Sequence, residues 1–268
     1  MTIDGLLRQG LLDPTDARIL IAHALQCSRV QLVIRALESL SKQELENIQQ
    51  LFQRRIAGEP IAYITGQREF FGLPFHVTPA VLIPRPETEL LVELAARYLP
   101  KGGSAIDLGT GSGAVAVALA HLRADASMTA SDISEAALEV AKQNAASNKV
   151  SVQFLHSDWY GTINGEFDLI VSNPPYIVAG DAHLSQGDLR FEPLSALTDH
   201  QNGLDALSRI VQGAPAHLKA GGWLLMEHGY DQADAVQALL HEAGWESVQS
   251  WPDLAGILRV SGAHLPVN

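Results

Sequence analysis

Hydrophobic residues near the start of the chain recur three to four positions apart, the spacing of one face of a helix. They form three groups: Leu6, Leu7, Leu11 and Leu12; Ile19, Leu20, His23 and Ala24; Leu45, Ile48, Leu51 and Phe52. Pro14 suits the first turn of a helix, Ser41 and Glu44 form a capping-box pair, and Gly58 marks a helix end. We therefore predict a small helical domain over residues 1–59.

The pattern changes after residue 60. Strand-forming residues flank a Gly72-Leu73-Pro74 turn: Phe70, Phe71, Phe75 and Val77. Bulky residues on both sides of a glycine turn are typical of a β-hairpin. We predict that residues 60–86 form a hairpin connector.

From residue 87 onward, helical and strand patterns alternate. The predicted helices cover residues 87–98, 113–122, 135–147, 204–218 and 232–243. The predicted strands cover residues 105–108, 128–133, 150–155, 167–172, 223–227, 246–250 and 256–261. This alternation predicts an α/β domain over 87–268, a Rossmann-like seven-stranded sheet with helices on both faces. The last two strands have no helix between them, so we expect an antiparallel hairpin at one edge.

Composition narrows the class of protein. Hydrophobic residues make up 47% and charged residues 18%, which is typical of soluble globular domains. The single cysteine, Cys27, cannot form an internal disulfide and favours a reducing compartment. The longest apolar run, residues 114–120, is far shorter than the roughly 20 residues of a membrane span. We expect a cytoplasmic protein with no signal peptide and no membrane partner.

Charge is unevenly distributed. The net charge is −12, of which residues 1–90 carry −1 and residues 91–268 carry −11. Nucleic-acid-binding proteins usually present a basic surface, since neutralisation of phosphates supplies most of their non-specific affinity. The acidic domain therefore argues against direct nucleic-acid binding.

A glycine-rich loop follows the first strand of the predicted sheet. Its sequence is Asp107-Leu108-Gly109-Thr110-Gly111-Ser112-Gly113. Glycines let the backbone turn tightly and approach a ligand closely, and ligands of such sheets bind where the strands end. The spacing is G-x-G-x-G, not the G-x-G-x-x-G of dinucleotide-binding folds, which argues mildly against NAD.

Acidic residues end the next strands. Asp132 follows Gly113 by 19 residues, where a carboxylate can accept hydrogen bonds from both hydroxyls of a ribose. Asp158 could accept from the amine of an adenine, and Trp159 could cover the ring. Together with Asp107, three acids beside one glycine loop suit a nucleoside without phosphate, such as the cationic S-adenosylmethionine. The alternative is a tight turn in which Asp132 only caps a helix.

An Asn173-Pro174-Pro175-Tyr176 turn follows the strand at 167–172. Its prolines cannot continue a sheet, and the residue before each proline is held extended. An amide nitrogen is a poor nucleophile, because its lone pair is delocalised into the carbonyl group. The barrier to rotation about a peptide bond, roughly 18–20 kcal/mol, measures that conjugation. Two acceptors, the Asn173 side-chain oxygen and the Pro174 carbonyl, could hold its NH2 group and stabilise the charge that develops; we call them the amide clamp. The flat face of Tyr176 could pack on the amide.

These residues predict methyl transfer to a planar, amide-like nitrogen. The simpler alternative is that the prolines only terminate a strand and that Tyr176 packs in the core. Two other functions stay open: an amino-methyltransferase acting on adenine or guanine, and a non-catalytic S-adenosylmethionine sensor.

The chain also resembles a known family, the bacterial peptide chain release factor glutamine methyltransferases (PrmC/HemK), which are class I S-adenosylmethionine-dependent enzymes. The resemblance covers nearly the whole chain. Its motifs are Gly58 to Tyr63, Ile64-Thr65-Gly66, Arg68-Glu69-Phe70, Leu82 to Glu89, Asp107 to Gly113, Ser157-Asp158-Trp159, Val171 to Ile177, Gln186 to Pro193, and Glu227-His228-Gly229. The segments ending Arg-Pro-Glu-Thr-Glu and Arg-Phe-Glu-Pro are more specific than the Asn-Pro-Pro-Tyr turn, which nucleic-acid methyltransferases share.

The resemblance implies a substrate, a cofactor and their binding residues. The substrate would be the glutamine within Gly-Gly-Gln of a class I release factor, gripped partly by the helical domain. Target binding and catalysis are expected at Asn173, Pro174, Pro175 and Tyr176. S-Adenosylmethionine binding is expected at Gly109, Thr110, Gly111, Ser112, Gly113, Asp132, Asp158, Trp159 and Asn173.

Four further residues have open roles. The histidines show no ligand spacing, so no metal is expected, and His228 is expected to be structural. Arg85 and Glu87 could shape the cleft or could form a cap and ion pair. Arg190 lies in a segment that could cover the substrate or fold back on the core.

Overall fold

The computed structural model describes residues 1–267. The chain forms two compact units. The first contains Met1–Gln67 together with Gln186–Phe191, and the second contains Arg68–Ser185 and the described residues from Glu192 onward. The predicted functional division at residues 59 and 86 stays a prediction.

Short helices build the first unit, as the hydrophobic spacing predicts. They are α1 (Ile3–Leu7), α2 (Pro14–Ala24), α3 (Arg29–Ile34), α4 (Lys42–Ile56) and α5 (Ile61–Thr65). The Asp13 carboxylate accepts from the Thr15 backbone N–H at the start of α2, and Ser41 and Glu44 form a complete capping box on α4. Ile48 and Phe52 of α4 are buried in the apolar core of this unit.

A two-stranded hairpin begins at the end of the first unit. Its strands are β1 (Gln67–Phe70) and β2 (Leu73–His76). Phe71 and Gly72 have φ values of 54° and 71°, the left-handed pair that a tight two-residue hairpin turn requires. Phe70 and Phe75 pack edge to face with ring centroids 5.9 Å apart, and both are buried in the second unit. The predicted hairpin is therefore present.

The second unit is a seven-stranded sheet with helices on both faces, so the predicted fold class is confirmed. Its strands are β3 (Ser104–Leu108), β4 (Ser127–Asp132), β5 (Gln153–His156), β6 (Phe167–Ser172), β7 (Leu218–Glu227), β8 (Glu246–Pro252) and β9 (Leu258–His264). Its helices are α6 (Glu89–Tyr98), α7 (Ala114–Leu122), α8 (Glu135–Ser147), α9 (Leu194–Leu197), α10 (Asp205–Gly213) and α11 (Ala233–Glu242). The strand order is β5-β4-β3-β6-β7-β9-β8. The first five strands of that order are parallel, and β9 runs antiparallel to β7 and β8, the expected edge hairpin.

Each face of the sheet has its own apolar core. Neighbouring strand residues alternate between the cores, as a pleated strand requires: Ala105 faces one core and Ile106 the other. Helices α6, α7 and α8 contribute to the first core, and α10 and α11 contribute to the second. Both cores hold the carboxyl ends of β3, β4 and β6 in register, and these ends carry the predicted site residues.

Several predicted boundaries were wrong. The strand predicted over 223–227 begins at Leu218, and the strand predicted over 256–261 covers Leu258–His264. The helix predicted over 204–218 ends at Gly213, and Leu218 already pairs with Phe167 in the sheet. Pro215 has no N–H and cannot continue the helix. The strand predicted from residue 150 begins at Gln153.

Candidate active site

A cavity of about 380 Å³ lies in the second unit at the carboxyl ends of β3, β4 and β6. Nine of the predicted site residues line it: Gly109, Thr110, Gly111, Ser112, Asp132, Asp158, Trp159, Asn173 and Pro175. Gly113, Pro174 and Tyr176 are not among its lining residues. A volume of this size is in the range of small-molecule sites.

The glycine loop is fixed to the neighbouring strand. The backbone N–H groups of Gly109 and Thr110 both donate to the Ser131 carbonyl at 2.9 Å. Gly113 ends the loop with a φ of 81°, and a Cβ placed there would lie 3.0 Å from the Ala141 Cβ of α8. Gly113 therefore allows α7 and α8 to approach, which explains its position outside the cavity lining.

Asp132 is held by backbone groups on two sides. Its Oδ2 accepts from the Gly111 N–H and its Oδ1 from the Ser134 N–H, both at 2.8 Å. Burial raises the pKa of this carboxyl, and the backbone hydrogen bonds oppose the rise. A carboxylate has about four acceptor sites. Each oxygen thus keeps capacity for a further donor, as the two hydroxyls of a ribose would require.

Asp107 is a buried carboxyl that lines the same cavity. Its Oδ2 accepts from the Thr110 hydroxyl at 2.6 Å. Burial raises the pKa of Asp107 to about 7, while hydrogen bonds from Thr110 and the Ala116 backbone act in the opposite direction. When ionised, this group would favour a cationic ligand.

Asp158 and Trp159 form another wall. Asp158 is exposed, and Trp159 is half-buried with a left-handed φ of 46°. A Cβ at Gly109 would lie 3.6 Å from the Trp159 ring, so the indole packs against the bare backbone of the glycine loop. This arrangement offers a flat apolar surface beside an acceptor, which suits an adenine.

Asn173 and Pro175 of the Asn-Pro-Pro-Tyr turn line the same cavity as the glycine loop. The Asn173 side-chain nitrogen donates to the Thr88 hydroxyl at 3.2 Å. Among residues 1–267, no protein donor bonds the Asn173 side-chain oxygen or the Pro174 carbonyl. The Asn173 oxygen is thus available to a ligand in the cavity, whereas Pro174 is buried outside the cavity lining, so the part of its carbonyl in the amide clamp stays a prediction.

Tyr176 is anchored away from the cavity. Its hydroxyl donates to Glu227 Oε1 at 3.3 Å, and its carbonyl accepts from the Gln232 side-chain nitrogen at 3.0 Å. Burial, reinforced by the Glu227 charge, raises the pKa of the Tyr176 phenol, so the hydroxyl stays protonated. Whether its ring contacts a bound amide stays a prediction.

Comparisons with known proteins match both units. The PrmC N-terminal domain family matches residues 6–66, and the Methyltransferase small domain family matches residues 86–188. The release factor glutamine methyltransferase of Neisseria gonorrhoeae is 51% identical over 264 residues, which is 97% of this chain and 97% of that protein. The protein of the same name from Burkholderia pseudomallei is 53% identical over 99% of this chain and 96% of its own length. The chain belongs to the release factor glutamine methyltransferase family.

Solved structures agree on the fold of this methyltransferase. A methyltransferase from Pyrococcus furiosus superposes with a TM-score of 0.58 at 21% identity, over 80% of this chain and 98% of that one. A 16S rRNA N2 G1207 methyltransferase of Thermus thermophilus, solved with AdoMet and guanosine, gives a TM-score of 0.54 at 24% identity. That match covers 74% of this chain and 49% of the other. At these identities the likeness shows the fold alone.

The methyltransferase has cavity residues to which the sequence assigned no role. They line the cavity from the segment before α6, from α9 and the loop after it, and from α10: Ala80, Val81, Leu82, Pro84, Thr88, Pro193, Ser195, Ala196, Thr198, Asp199, His200, Asp205, Ala206 and Arg209. Most are small or loop residues with no local pattern. The sequence could have indicated Glu227 as a site residue, because this charged residue directly follows the apolar run Trp223-Leu224-Leu225-Met226.

The four residues with open roles are placed as follows. Arg85, which lines the cavity, forms an ion pair with the buried Glu192, whose other oxygen accepts from the Ile83 N–H at 3.2 Å. Arg190 donates to the Ala57 carbonyl within the first unit at 2.9 Å. His228 is buried; its Nε2 lies 2.8 Å from the Ser261 hydroxyl, and burial lowers its pKa. The negative charge of Glu87 raises the pKa of the buried Glu227 carboxyl.

Proposed function

We propose that this chain transfers a methyl group from S-adenosylmethionine to the side-chain amide nitrogen of the glutamine in the Gly-Gly-Gln motif of class I peptide chain release factors. The observation that carries the chemistry is Asn173: its amide nitrogen is bonded to Thr88 while its oxygen is free at a cavity shared with Asp132. The names of near full-length relatives support the substrate.

The cavity residues fit the cofactor. Asp132 has spare acceptors for two hydroxyls, the glycine loop offers bare backbone, and Trp159 offers a flat apolar surface. Asp158 lines the same cavity and would accept from an adenine amine. S-Adenosylmethionine, when bound, supplies an electrophilic methyl group next to a cationic sulfur, and Asp107 offers the opposite charge.

The amide clamp would orient the target nitrogen. The Asn173 oxygen and the Pro174 carbonyl each accept one N–H of the glutamine NH2, which turns the lone-pair face toward the methyl group. S-Adenosylmethionine, when bound, would supply the methyl group, and its carbon–sulfur bond would break as the bond to nitrogen forms. The two oxygens would stabilise the positive charge that develops on nitrogen, and the methylated nitrogen would release one proton to solvent. Holding the reacting atoms at near-attack distance supplies a large part of the acceleration.

The proposal includes a cytoplasmic location, where a release factor would be met, and no direct nucleic-acid partner. No helix within residues 1–267 is long and apolar enough to cross a membrane. The net charge of −12 favours a protein substrate over a polyanion.

The test is transfer of labelled methyl groups. One reaction contains the protein, labelled S-adenosylmethionine and an unmodified release factor, and a second contains the factor with its Gly-Gly-Gln glutamine replaced by alanine. A third contains ribosomal RNA. We expect label in the first reaction only. Label in the RNA, or none in any reaction while the cofactor binds, would contradict the proposed substrate.

A further inference from the structure

A buried carboxylate ends strand β7. Glu227 is 2% exposed, and within residues 1–267 it forms no ion pair. The cation that acts on it from β9, Arg259, is itself paired with Asp253 at 3.2 Å. An unpaired buried carboxylate is costly to the fold, so its presence calls for an explanation.

The groups around Glu227 come from three elements. The Tyr176 hydroxyl, after β6, donates to Oε1 at 3.3 Å, whereas Oε2 has no hydrogen-bond partner within residues 1–267. Burial raises the pKa of Glu227 to about 7. The hydroxyls of Thr88 and Tyr176 and the charge of Arg259 lower this pKa, and Glu87 raises it.

Thr88 accepts from Asn173 and lies beside this carboxylate, whose pKa its hydroxyl lowers. A hydroxyl has one hydrogen, and an ionised carboxylate only accepts, so the Thr88 hydrogen is oriented toward the charge of Glu227. The lone pairs of Thr88 are then left for Asn173, whose nitrogen lies 3.2 Å away. An asparagine amide has a donor end and an acceptor end. With its donor end on Thr88, Asn173 must present its oxygen to the cavity.

We propose that Glu227 is a positioning residue, which fixes the Asn173 amide through Thr88 and the turn through Tyr176, so that the clamp presents acceptors only. The inference rests on the proposed function, because only a target NH2 group needs two acceptors. A side chain at position 227 that can also donate a hydrogen bond would donate to the Thr88 oxygen. The Thr88 hydrogen could then be donated to the Asn173 oxygen instead of toward position 227. The Asn173 side-chain amide then flips. Its NH2 group faces the NH2 group of the target, and the two groups repel each other.

The kinetic test uses Glu227→Gln, which keeps the shape of the side chain but adds a donor. We expect kcat on the release factor to fall by ~10²-fold, the scale of a misplaced reacting group. The dissociation constant of S-adenosylmethionine should stay close to the wild-type value. Thr88→Val should lower kcat similarly, and the double variant should lose less than the product of the two effects. If Glu227→Gln does not fold, Thr88→Val carries the test.

A matched control is available in the neighbouring strand. Ser261 of β9 is also buried and polar, and its hydroxyl bonds His228 and Ser250, not the clamp. Ser261→Ala should therefore leave kcat unchanged. In addition, wild-type kcat should fall as the pH drops through about 7, where Glu227 gains a proton, and this limb should vanish in Glu227→Gln.

A second readout does not depend on activity. The side-chain ¹⁵N–¹H resonances of Asn173, assigned by their absence in Asn173→Ala, report what its nitrogen donates to. Both Glu227→Gln and Thr88→Val should shift them, and Ser261→Ala should not. Unshifted resonances with unchanged kcat would overturn the positioning role while leaving the proposed function intact. Shifted resonances in a protein that methylates no release factor would overturn the proposed function and keep the positioning of Asn173.

Discussion

Asn173 and Asp132 end strands of the same sheet, but their surroundings give them different roles. Asp132 is held by two backbone N–H groups, whose positions are fixed by the glycine loop and the start of α8. Asn173 is held by a single side chain, Thr88, and its orientation follows that one contact. Loss of the first should act on cofactor affinity, and loss of the second on turnover.

Asn173→Ala should therefore lower kcat by ~10²-fold or more, the scale of losing one preorganised polar group at a reacting centre. The affinity for S-adenosylmethionine, measured by titration calorimetry, should fall much less. An equal fall in affinity and turnover would show that Asn173 serves chiefly the cofactor.

Asp132→Ala should show the converse pattern. Two hydrogen bonds to a carboxylate, at about 1.5–3 kcal/mol each, would be lost, so the dissociation constant of S-adenosylmethionine should rise at least ~10²-fold. At saturating cofactor, kcat should stay near the wild-type value. An unchanged dissociation constant would exclude Asp132 as the ribose acceptor.

The sequence predicts those residues whose signal is local. Asp132 and the glycine loop are found by their spacing along one stretch of chain, and the Asn-Pro-Pro-Tyr turn by its own composition. Thr88 and Glu227 lie in motifs of the family resemblance, but their roles are not predicted, because their partners lie 85 and 51 residues away. Their chemistry exists only once β6, β7 and the turn before α6 lie side by side.

At the scale of elements, the spacing of hydrophobic residues distinguishes helices from strands, but it locates the ends of these elements less well. Helix α10 stops at Gly213 because Pro215 follows, and position 213 is a glycine because a Cβ there would lie 2.4 Å from the Tyr160 ring. Strand β7 then begins early and absorbs Gly221 and Gly222 at an irregularity in its pairing with β6. A bulge of this kind has no period that a sequence pattern could reveal.

Helix α8 offers a test of how the elements are joined. The buried Asn144 bonds the backbone N–H and carbonyl of His76 at 2.7 and 2.9 Å, and also the Ser112 carbonyl at 2.8 Å. Asn144→Ala removes these three hydrogen bonds and should lower the free energy of unfolding by about 2–4 kcal/mol, measured by urea denaturation.

Asn148→Ala is its control on the same helix. Asn148 is half-buried and bonds the Pro74 and Asn144 carbonyls, and the Asn144 carbonyl also accepts from the Asn148 backbone N–H at 3.0 Å. Its loss should cost less than about 1 kcal/mol. Equal effects of the two substitutions would contradict a specific role of Asn144 in attaching β2 and the glycine loop.

For the whole molecule, alternating helices and strands predict the sheet, because each strand buries both faces and each helix one.

The buried carboxyls make the stability of the whole molecule depend on pH, which the hydrophobic pattern does not reveal. Asp107 has a pKa raised to about 7 from 3.8, so the folded chain keeps a proton that the unfolded chain releases. Its contribution to stability is complete below pH ~4 and is lost as the pH rises through about 7.

Asp107→Asn removes this titration. The free energy of unfolding of the wild type, relative to the variant, should therefore decrease between pH 5 and pH 8 by at least ~1 kcal/mol, the value of about one pKa unit. Denaturation of both proteins without cofactor, at a series of pH values, measures the difference. A difference that is constant over this range would show that Asp107 does not titrate there.

The first unit is not one continuous stretch of chain. Residues Gln186–Phe191 belong to it, and there Asp188 pairs with Arg55 at 3.3 Å while Arg190 bonds the carbonyl of Ala57. Gly58 leaves room for that arginine, since a Cβ there would lie 1.7 Å from the guanidinium. The unit is therefore not a cassette that can be exchanged between homologues by one crossover near residue 67. A functional chimera must carry two pieces of sequence from the same parent, and changes at positions 55–58 should be inherited together with changes at 188–190.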